Sequence, residues 1–392
     1  MSERGVGRVL VTGGAGFIGS RLTRALLAAG REVTVLDAIV EAVHGPDAEP
    51  PAATQGARFV RGDVRDADAW KAALEDVDLV YHLAAETGTG ESMYRARHYV
   101  DVNVGGTALL CDVIGAAATP PRRVVVASSR AIYGEGPYRC AAHGVVHPEP
   151  RPRERLAAGS WEPACSTCGL TLEPRPAGAE TPARPASVYG LTKRDQEELL
   201  LALLPPRGIE VAALRLQNVY GPGQSLRNPY TGILSIFSVR LLDGEGINVF
   251  EDGLESRDFV HVDDVVEAFA AAGSAPVSAP AAAGSAGTLV VDVGSGRPTS
   301  VLDVAHLLAR VCGADESRIT VTGDFRVGDI RHAFCDSGPA RAALGVAARI
   351  PLLEGVRGLV AWVRATERPS SRLDEALDEM RAAGLLGRAE AR

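Results

Sequence analysis

Short apolar runs alternate with amphipathic stretches through the first third of the chain. Val9 to Val11, Val33 to Asp37, Ala57 to Arg61, Asp78 to Leu83 and Arg123 to Ser128 are rich in β-branched residues and too short for helices, so each reads as a strand. Between them, Ser20 to Ala29, Asp66 to Glu75 and Arg97 to Ala117 carry helical spacing. Strand and helix alternating in this way predict an α/β fold built on a parallel, doubly wound sheet. Its ligand is expected beyond the carboxyl ends of the strands, where Asp63, His82 to Glu86 and Ser128 to Tyr133 fall. The pattern breaks at Tyr138, and Cys140 to Pro176 shows little periodicity and many prolines. It resumes with a helix from Ser187 to Leu204 and a strand from Val211 to Leu216. Beyond Gly221, short strands and helices mix. Ala272 to Gly287, rich in Ala, Ser, Pro and Gly, reads as a mobile loop, and Ser370 to Arg392 as a charged C-terminal helix.

One stretch fixes the chemistry of the first unit. Val9 to Val11 run into Gly13, Gly16 and Gly19, and a helix follows. In a Rossmann-type unit the first glycine turns the chain, the second lets the backbone approach a pyrophosphate, and the third brings the helix close. The helix N-terminus then offers free N–H groups to phosphate. Asp37 ends the second strand about 20 residues on, where a carboxylate meets the ribose hydroxyls of a dinucleotide. It would repel a 2′-phosphate, and Ala38 to Glu49 holds no Arg or Lys, so NAD is expected over NADP.

Composition narrows the rest. The net charge of −8 argues against a general nucleic-acid binder. No apolar run is long enough for a membrane span, and the short polar start leads straight into a strand, unlike a signal peptide. A cytoplasmic protein is therefore expected, in which six cysteines are thiols or metal ligands, not a disulfide frame.

Tyr189 and Lys193 stand four residues apart on a helix and so share a face. A free phenol titrates near pH 10, and a neighbouring ammonium and a nicotinamide cation would both favour its ionised form. Ser129, just past the fifth strand, could hydrogen-bond the same substrate oxygen. The three form a device for taking a proton from a hydroxyl while hydride leaves its carbon.

At this point the chain resembles the extended short-chain dehydrogenase/reductases, specifically the NAD-dependent epimerases and dehydratases of nucleotide sugars. The residues that carry the resemblance run from Thr12 to Gly19 and include Asp37, Gly62-Asp63-Val64, His82 to Ala85, Asp101 to Asn103, Gly106-Thr107, Ser128-Ser129, Tyr133-Gly134, Tyr189 and Lys193. They continue through Arg215 to Pro222, Arg257 to Asp264, Asp292 to Gly296 and Arg326 to Asp329. Asp292 departs from the asparagine usual in the family. The resemblance implies that Phe17, Ile18, Asp63, Val64, Leu83, Ala84, Ala85, Asn103, Ser128 and Leu216 contact NAD. It implies that Asn218, Arg257 and Arg326 bind a sugar-nucleotide diphosphate, Asp329 its ribose, and Asn248 and Phe250 its base. Glu91, Ser92, Thr231 and Ile233 would complete the substrate site. A homodimer through the helices near Arg97 to Ala117 and Tyr189 to Leu204 is also implied.

Dehydratases of this family carry an Asp-Glu pair after the serine, and decarboxylases a Ser-Glu pair; here Arg130-Ala131 follows Ser129. Hydride removal and return remains, which inverts C4 if the ketone turns over between the steps. Ala85 to Met93, Asn228 to Gly232 and Val327 to His332 look similar to sugar 4-epimerases, those of the dTDP-L-rhamnose type in particular. A UDP- or dTDP-sugar is the expected substrate. A net oxidoreductase or decarboxylase on a nucleotide sugar, and a silent NAD-sensing protein, are the alternatives.

The stretch between Ser129 and Tyr189 is far longer than the family's usual spacing. It holds Cys140-Ala-Ala-His143-Gly and Cys165-Ser-Thr-Cys168-Gly, paired ligands two residues apart as in a zinc knuckle. Three thiolates and an imidazole make a closed tetrahedral site, hence a structural zinc, with His147 as an alternative fourth ligand. Arg151, Arg153 and Arg155 suggest nucleic acid, but Glu149 and Glu154 lie among them and weigh against it. A lid over the sugar site or a subunit contact is the expected role. The domains are thus 1–139 with 176–220 for NAD, 140–175 for the insertion, and 221–368 for the nucleotide sugar. Part of the last, near 259–296, returns to the first unit, and 369–392 forms a terminal helix.

Overall fold

The computed structural model describes residues 7–46, 48–226, 232–277, 286–367 and 373–390. Five strands, β1 (Arg8–Thr12), β2 (Glu32–Asp37), β3 (Arg58–Arg61), β4 (Leu79–His82) and β5 (Arg123–Ser129), join Glu210–Leu216 and Thr288–Val293 in one seven-stranded sheet. Every pairing is parallel. The order runs from Thr288–Val293 through Glu210–Leu216, β5, β4, β1 and β2 to β3. The connections reverse direction between β1 and β4, and a crevice opens there at the carboxyl ends.

Side-chain alternation explains why these strands read as unbroken apolar runs. Val9, Val11, Val33, Val35 and Val125 enter one core, whose helices include Phe17–Ala28 and Val262–Ala272. Leu10, Leu36, Val80, Val124 and Val126 enter the opposite core with Trp70, Leu110, Ile114 and Leu200. Both faces are covered, so both sets of alternate residues must be apolar. Each fully buried Leu or Val contributes about 1.5–3 kcal/mol.

The expected single helix from Arg97 to Ala117 is interrupted. Ala96–Tyr99 leads into a π-helical stretch, Val100–Gly105, before Gly106–Ala116. Thr107 Oγ1 donates to the Asn103 carbonyl at 2.6 Å, and the Asn103 amide is tied to Glu86 and Thr192. Local side-chain bonds of this kind sit where the turn widens.

A third apolar core, with Tyr220, Phe237, Phe259, Leu308 and Leu359, organises the second unit. The expected C-terminal helix is shorter than its charge pattern suggests. Leu373–Ala382 is helical, but the chain turns at Gly384 and Leu386–Arg388 pairs antiparallel with Asp324–Arg326. Positions 278–285 of the expected mobile loop lie outside the described residues. No helix among the described residues is long and apolar enough to cross a membrane.

The insertion has a little regular structure of its own. Tyr138–Cys140 pairs antiparallel with Gly144–Val146 and Glu173–Pro174, and Arg153–Ala157 adds a single turn of helix. Its core is only Tyr138, Cys140, Cys165 and Leu172, with Val146 beside them. So small a core cannot hold a segment in place unaided. Buried charge supplies the attachment. Arg151 donates to Glu135 at 3.1 Å, Glu251 at 2.9 Å and the Asp329 carbonyl at 3.0 Å. Arg331, 1% exposed, reaches Glu162 at 2.8 Å, Glu251 at 2.9 Å and Asp252 at 2.7 Å.

Two stability predictions arise from these buried charges. Arg331→Met leaves Glu251 and Asp252 short of a partner, so stability should fall by about 3–5 kcal/mol, read by chemical denaturation. The second concerns Asp292, which takes a hydrogen bond from Tyr133 at 2.7 Å while its Oδ1 is buried without a partner. Burial pushes its pKa from 3.8 up to about 7. A raised carboxyl favours the folded state below its unfolded pKa and loses that advantage as pH rises toward the folded value. Asp292→Asn should therefore be more stable than the parent at pH 8, by about 1–3 kcal/mol, and the gap should shrink toward pH 4.

Candidate active site

A cleft of about 500 Å³ follows the carboxyl edge of the sheet. Gly13, Gly16, Phe17, Ile18 and Gly19 form one wall. Gly13 has φ +66°, and a Cβ there would stand 2.9 Å from the Ala84 amide nitrogen. A Cβ on Gly19 would strike the Gly13 carbonyl, so this glycine brings the helix against its own loop. No side chain caps the Phe17–Ala28 N-terminus, which leaves its N–H groups for an anion. Asp37 is held at the end of β2 by the amides of Ala15 at 2.9 Å and Ile39 at 2.8 Å. Asp63, Val64, Leu83, Ala84, Ala85, Ser128 and Leu216 line the same cleft. Arg65 also lines it, but its guanidinium is taken by Asp63 at 2.7 Å, which holds that carboxyl below its ordinary pKa.

At the far end lie Ser129, Tyr189 and Lys193. Helix Val188–Leu203 starts at Ser187, whose hydroxyl accepts from the Gly190 amide at 3.1 Å. This places Tyr189 and Lys193 on the face toward β5. Burial raises the pKa of the Tyr189 phenol, and the nearby Ser129 hydroxyl acts more weakly to lower it. Lys193 Nζ donates to the Ala127 carbonyl at 2.9 Å and to Gln196 at 3.0 Å. Burial brings its pKa down to about 7. The charge that lowers the phenol pKa here is the Arg130 guanidinium, a role the sequence pattern assigns to Lys193.

A second cavity, of about 230 Å³, opens from the first. Asn218, Ile233, Asn248, Phe250, Arg257, Arg326 and Asp329 all line it, as the motifs imply. Arg257 contacts Asp329 at 3.2 Å, and Arg326 stacks over Phe250 with 4.8 Å to the ring centre. Arg326 Nε is buried without a partner, a donor left for a ligand. Leu373, Leu377, Met380 and Leu385 close the far wall. Their helical spacing is visible in the sequence, but the sequence carries no sign of what that apolar face covers.

Three expected contacts are corrected, and one falls outside the described residues. Asn103 does not line the cleft: its amide is used by the Glu86 backbone at 2.7 and 3.1 Å and by Thr192 at 3.0 Å. Glu91 turns away to Arg95 at 2.6 Å and Tyr99 at 3.0 Å. Ser92 is buried, and its hydroxyl accepts from the Tyr189 amide at 3.0 Å. These motif positions hold the walls and the reacting helix; Thr89, Gly90 and Met93 beside them face the second cavity. Thr231 lies outside the described residues.

The insertion brings Cys140, His143, Cys165 and Cys168 together with ligand atoms within 4.8 Å of one another. Cys140 Sγ lies 3.5 Å from His143 Nδ1 and 3.6 Å from Cys168 Sγ, and Cys165 Sγ lies 3.5 Å from His143 Nδ1. These match the roughly 3.5–3.8 Å edges of a tetrahedron with zinc bond lengths. His143 and not His147 joins the cluster. Cys111 and Cys335 are buried and Cys312 is partly so, each outside it.

The description "NAD dependent epimerase/dehydratase family" matches residues 9–154 and 164–286. The chain is 40% identical over 358 residues to the dTDP-L-rhamnose 4-epimerase of Burkholderia thailandensis, covering 91% of this chain and 94% of that one. Among solved structures, the UDP-glucose 4-epimerase of Thermus thermophilus in complex with NAD is similar at 27% identity and a TM-score of 0.71, over 92% of this chain and all of that one (100%). The UDP-glucose 4-epimerase of Thermotoga maritima with UDP-glucose is similar at 26% identity and a TM-score of 0.71, over 91% and 99% of the two chains. The family model spans most of the chain and the sequence identity holds over nine-tenths of it, so the chain belongs to the NAD dependent epimerase/dehydratase family.

Proposed function

We propose that this chain is an NAD-dependent 4-epimerase of a nucleotide sugar, a dTDP- or UDP-hexose. One observation carries the reading. Ser129, Tyr189 and Lys193 meet where the first cleft joins a cavity lined by Arg257 and Arg326, with no carboxylate acid–base pair following Ser129. The uncapped helix N-terminus and Asp37 suit the pyrophosphate and ribose of NAD. NAD, when bound, supplies the hydride acceptor and the hydride that returns. Tyr189 takes the proton of the C4 hydroxyl, and Ser129 steadies the oxygen. Lys193, whose Nζ is held against the Ala127 carbonyl of β5, would hold the nicotinamide ribose. Arg257, Arg326 and Asn218 keep hold of the diphosphate while the ketone turns over, so that the proton and hydride can return to the other face. A cytoplasmic homodimer completes the reading: Val100, Leu191 and Leu203 stand exposed on the helices expected to pair.

Proton NMR of the protein with NAD and a panel of dTDP- and UDP-sugars in deuterated water tests it. The expected result is an equilibrating pair of C4 epimers without deuterium uptake. Loss of water or carbon dioxide, or stoichiometric NADH, would overturn it in favour of a sister reaction. Tyr189→Phe should lower kcat roughly 100-fold or more while leaving NAD affinity unchanged.

We infer further that Cys140, His143, Cys165 and Cys168 hold a structural zinc. The donor chemistry and spacing suit that ion, and no open position remains for catalysis. The zinc would brace the insertion that reaches Asp329 through Arg151. Purified protein should carry about one zinc per chain by elemental analysis. Replacing both Cys165 and Cys168 by Ser should lose the metal and raise KM for the sugar nucleotide several-fold with NAD affinity kept. A metal-free double variant with normal stability and KM would defeat the bracing role.

A further inference from the structure

Arg130 follows Ser129 directly and lines both cavities. Its Nε donates to Asn218 Oδ1 at 2.8 Å. Among the described residues it forms no ion pair, whereas the nearby buried arginines do: Arg151 with Glu135, Arg215 with Glu197, Arg257 with Asp329 and Arg331 with Glu251. Arg130 is half-buried, and its guanidinium has one neutral protein partner and no counter-charge, which leaves it open to an anionic group in the cavities. It remains a cation all the same: burial and the nearby Arg257 bring its pKa down only to about 10. Tyr189 lines the first cavity with it, and Arg257 and Asp329 line the second with it, so it stands where the side of the reacting phenol meets the diphosphate side; Asp258 is the further charged group that acts on it. Lys193, the other cation at the centre, is turned to Ala127 and Gln196.

We propose that Arg130 is the fixed cation of the reaction centre, stabilising the Tyr189 phenolate from one end and setting the Asn218 amide from the other. The phenol ionises by giving its proton to water, and the phenolate then accepts the C4 hydroxyl proton. A guanidinium beside it favours the ionised form across the whole neutral range, because it does not itself titrate there. Because the Arg130 N–H occupies Asn218 Oδ1, the amide N–H groups of Asn218 are directed away from Arg130, as donors for a phosphate oxygen. The position after the serine therefore carries a device of its own. It serves hydride removal and return, and a cation there could not supply the acid and base of an elimination.

This inference rests on the 4-epimerase reading for its substrate, and two substitutions separate its parts. Arg130→Gln keeps an N–H for Asn218 and removes the charge; Arg130→Met removes both. Tyr189 ionisation is read in the NAD-loaded protein by ultraviolet tyrosinate absorbance, as the difference between each protein and its own Tyr189→Phe variant. Kinetics across pH are read alongside. Arg130→Gln should raise the Tyr189 pKa by about one unit, move the acid limb of kcat upward by the same amount, and leave KM near the parent value. Arg130→Met should also raise KM several-fold, and Arg130→Lys should restore most of the pH profile. NAD affinity should be equal in all. An unshifted phenol in Arg130→Gln, or a loss of rate uniform across pH, would overturn the proposal. A parent that shows the phenol shift but turns over no nucleotide sugar would overturn the epimerase reading and leave the role of Arg130 standing.

Discussion

Two guanidiniums, Arg151 and Arg331, are taken out of water together, and the joining of the molecule's three parts hangs on the carboxylates that accompany them. Both donate to Glu251, at 2.9 Å each. Glu135 from the end of the first unit, Glu162 from the insertion and Asp252 from the second unit complete the set. Removing any one member leaves a buried charge with fewer partners than it needs, which is why the group behaves as a whole. The insertion is the part most dependent on it. Four buried residues form its core, so neither its place nor its orientation can come from apolar burial alone.

Beneath this network lies the older constraint of the parallel sheet. Its strands are covered on both faces, so only their ends are open to ligands, and crossovers deliver every β-to-α turn to the same edge. Ser129 at the end of β5 and Tyr189 at the start of Val188–Leu203 are brought together by that rule and not by nearness in sequence. The electrostatics at the centre are less regular. Lys193 is buried against a backbone carbonyl with its pKa near 7, while Arg130 keeps its charge. The lysine is turned to a backbone carbonyl and an amide, while the arginine lines both cavities with its Nε on Asn218.

What could be read in the sequence follows from how local each signal is. The glycine turn, the terminal acid Asp37, the Tyr-Lys pair and the two Cys/His knuckles are fixed spacings that local geometry forces, and the structure brings each set together. Asn103, Glu91 and Ser92 were legible as motif positions but not as supports, since a side chain that holds a wall and one that touches a ligand look alike in sequence. The face of Leu373, Leu377 and Met380 was visible as a helical stripe, yet its partner, the second cavity, is assembled from distant segments. Arg331 was legible only as part of the Val327 to His332 stretch, with no sign that its charge is buried. It sits among motif residues, and its burial depends on Glu162, Glu251 and Asp252, none of them near it in the chain.

The place of the insertion decides what it can influence. A segment that leaves after β5 and returns before Val188–Leu203 must start and end at the open edge of the sheet, beside the reacting residues. From there it lies against the second unit: Arg151 grips the Asp329 carbonyl, Arg153 donates to the Gly384 carbonyl at 2.7 Å, and the Glu390 amide donates to the Ala157 carbonyl at 2.9 Å. Asp329 lines the second cavity and Gly384 adjoins Leu385 in its far wall. A metal held by the knuckle would therefore act on the substrate side through rigid attachment, at a distance from the chemistry and without a ligand position of its own. No residue of 140–175 lines the first cleft, whose walls come from the ends of β1, β2, β4 and β5 and from the Phe17–Ala28 and Val188–Leu203 helices. Loosening the insertion should separate the two sites, softening one while the other keeps its shape.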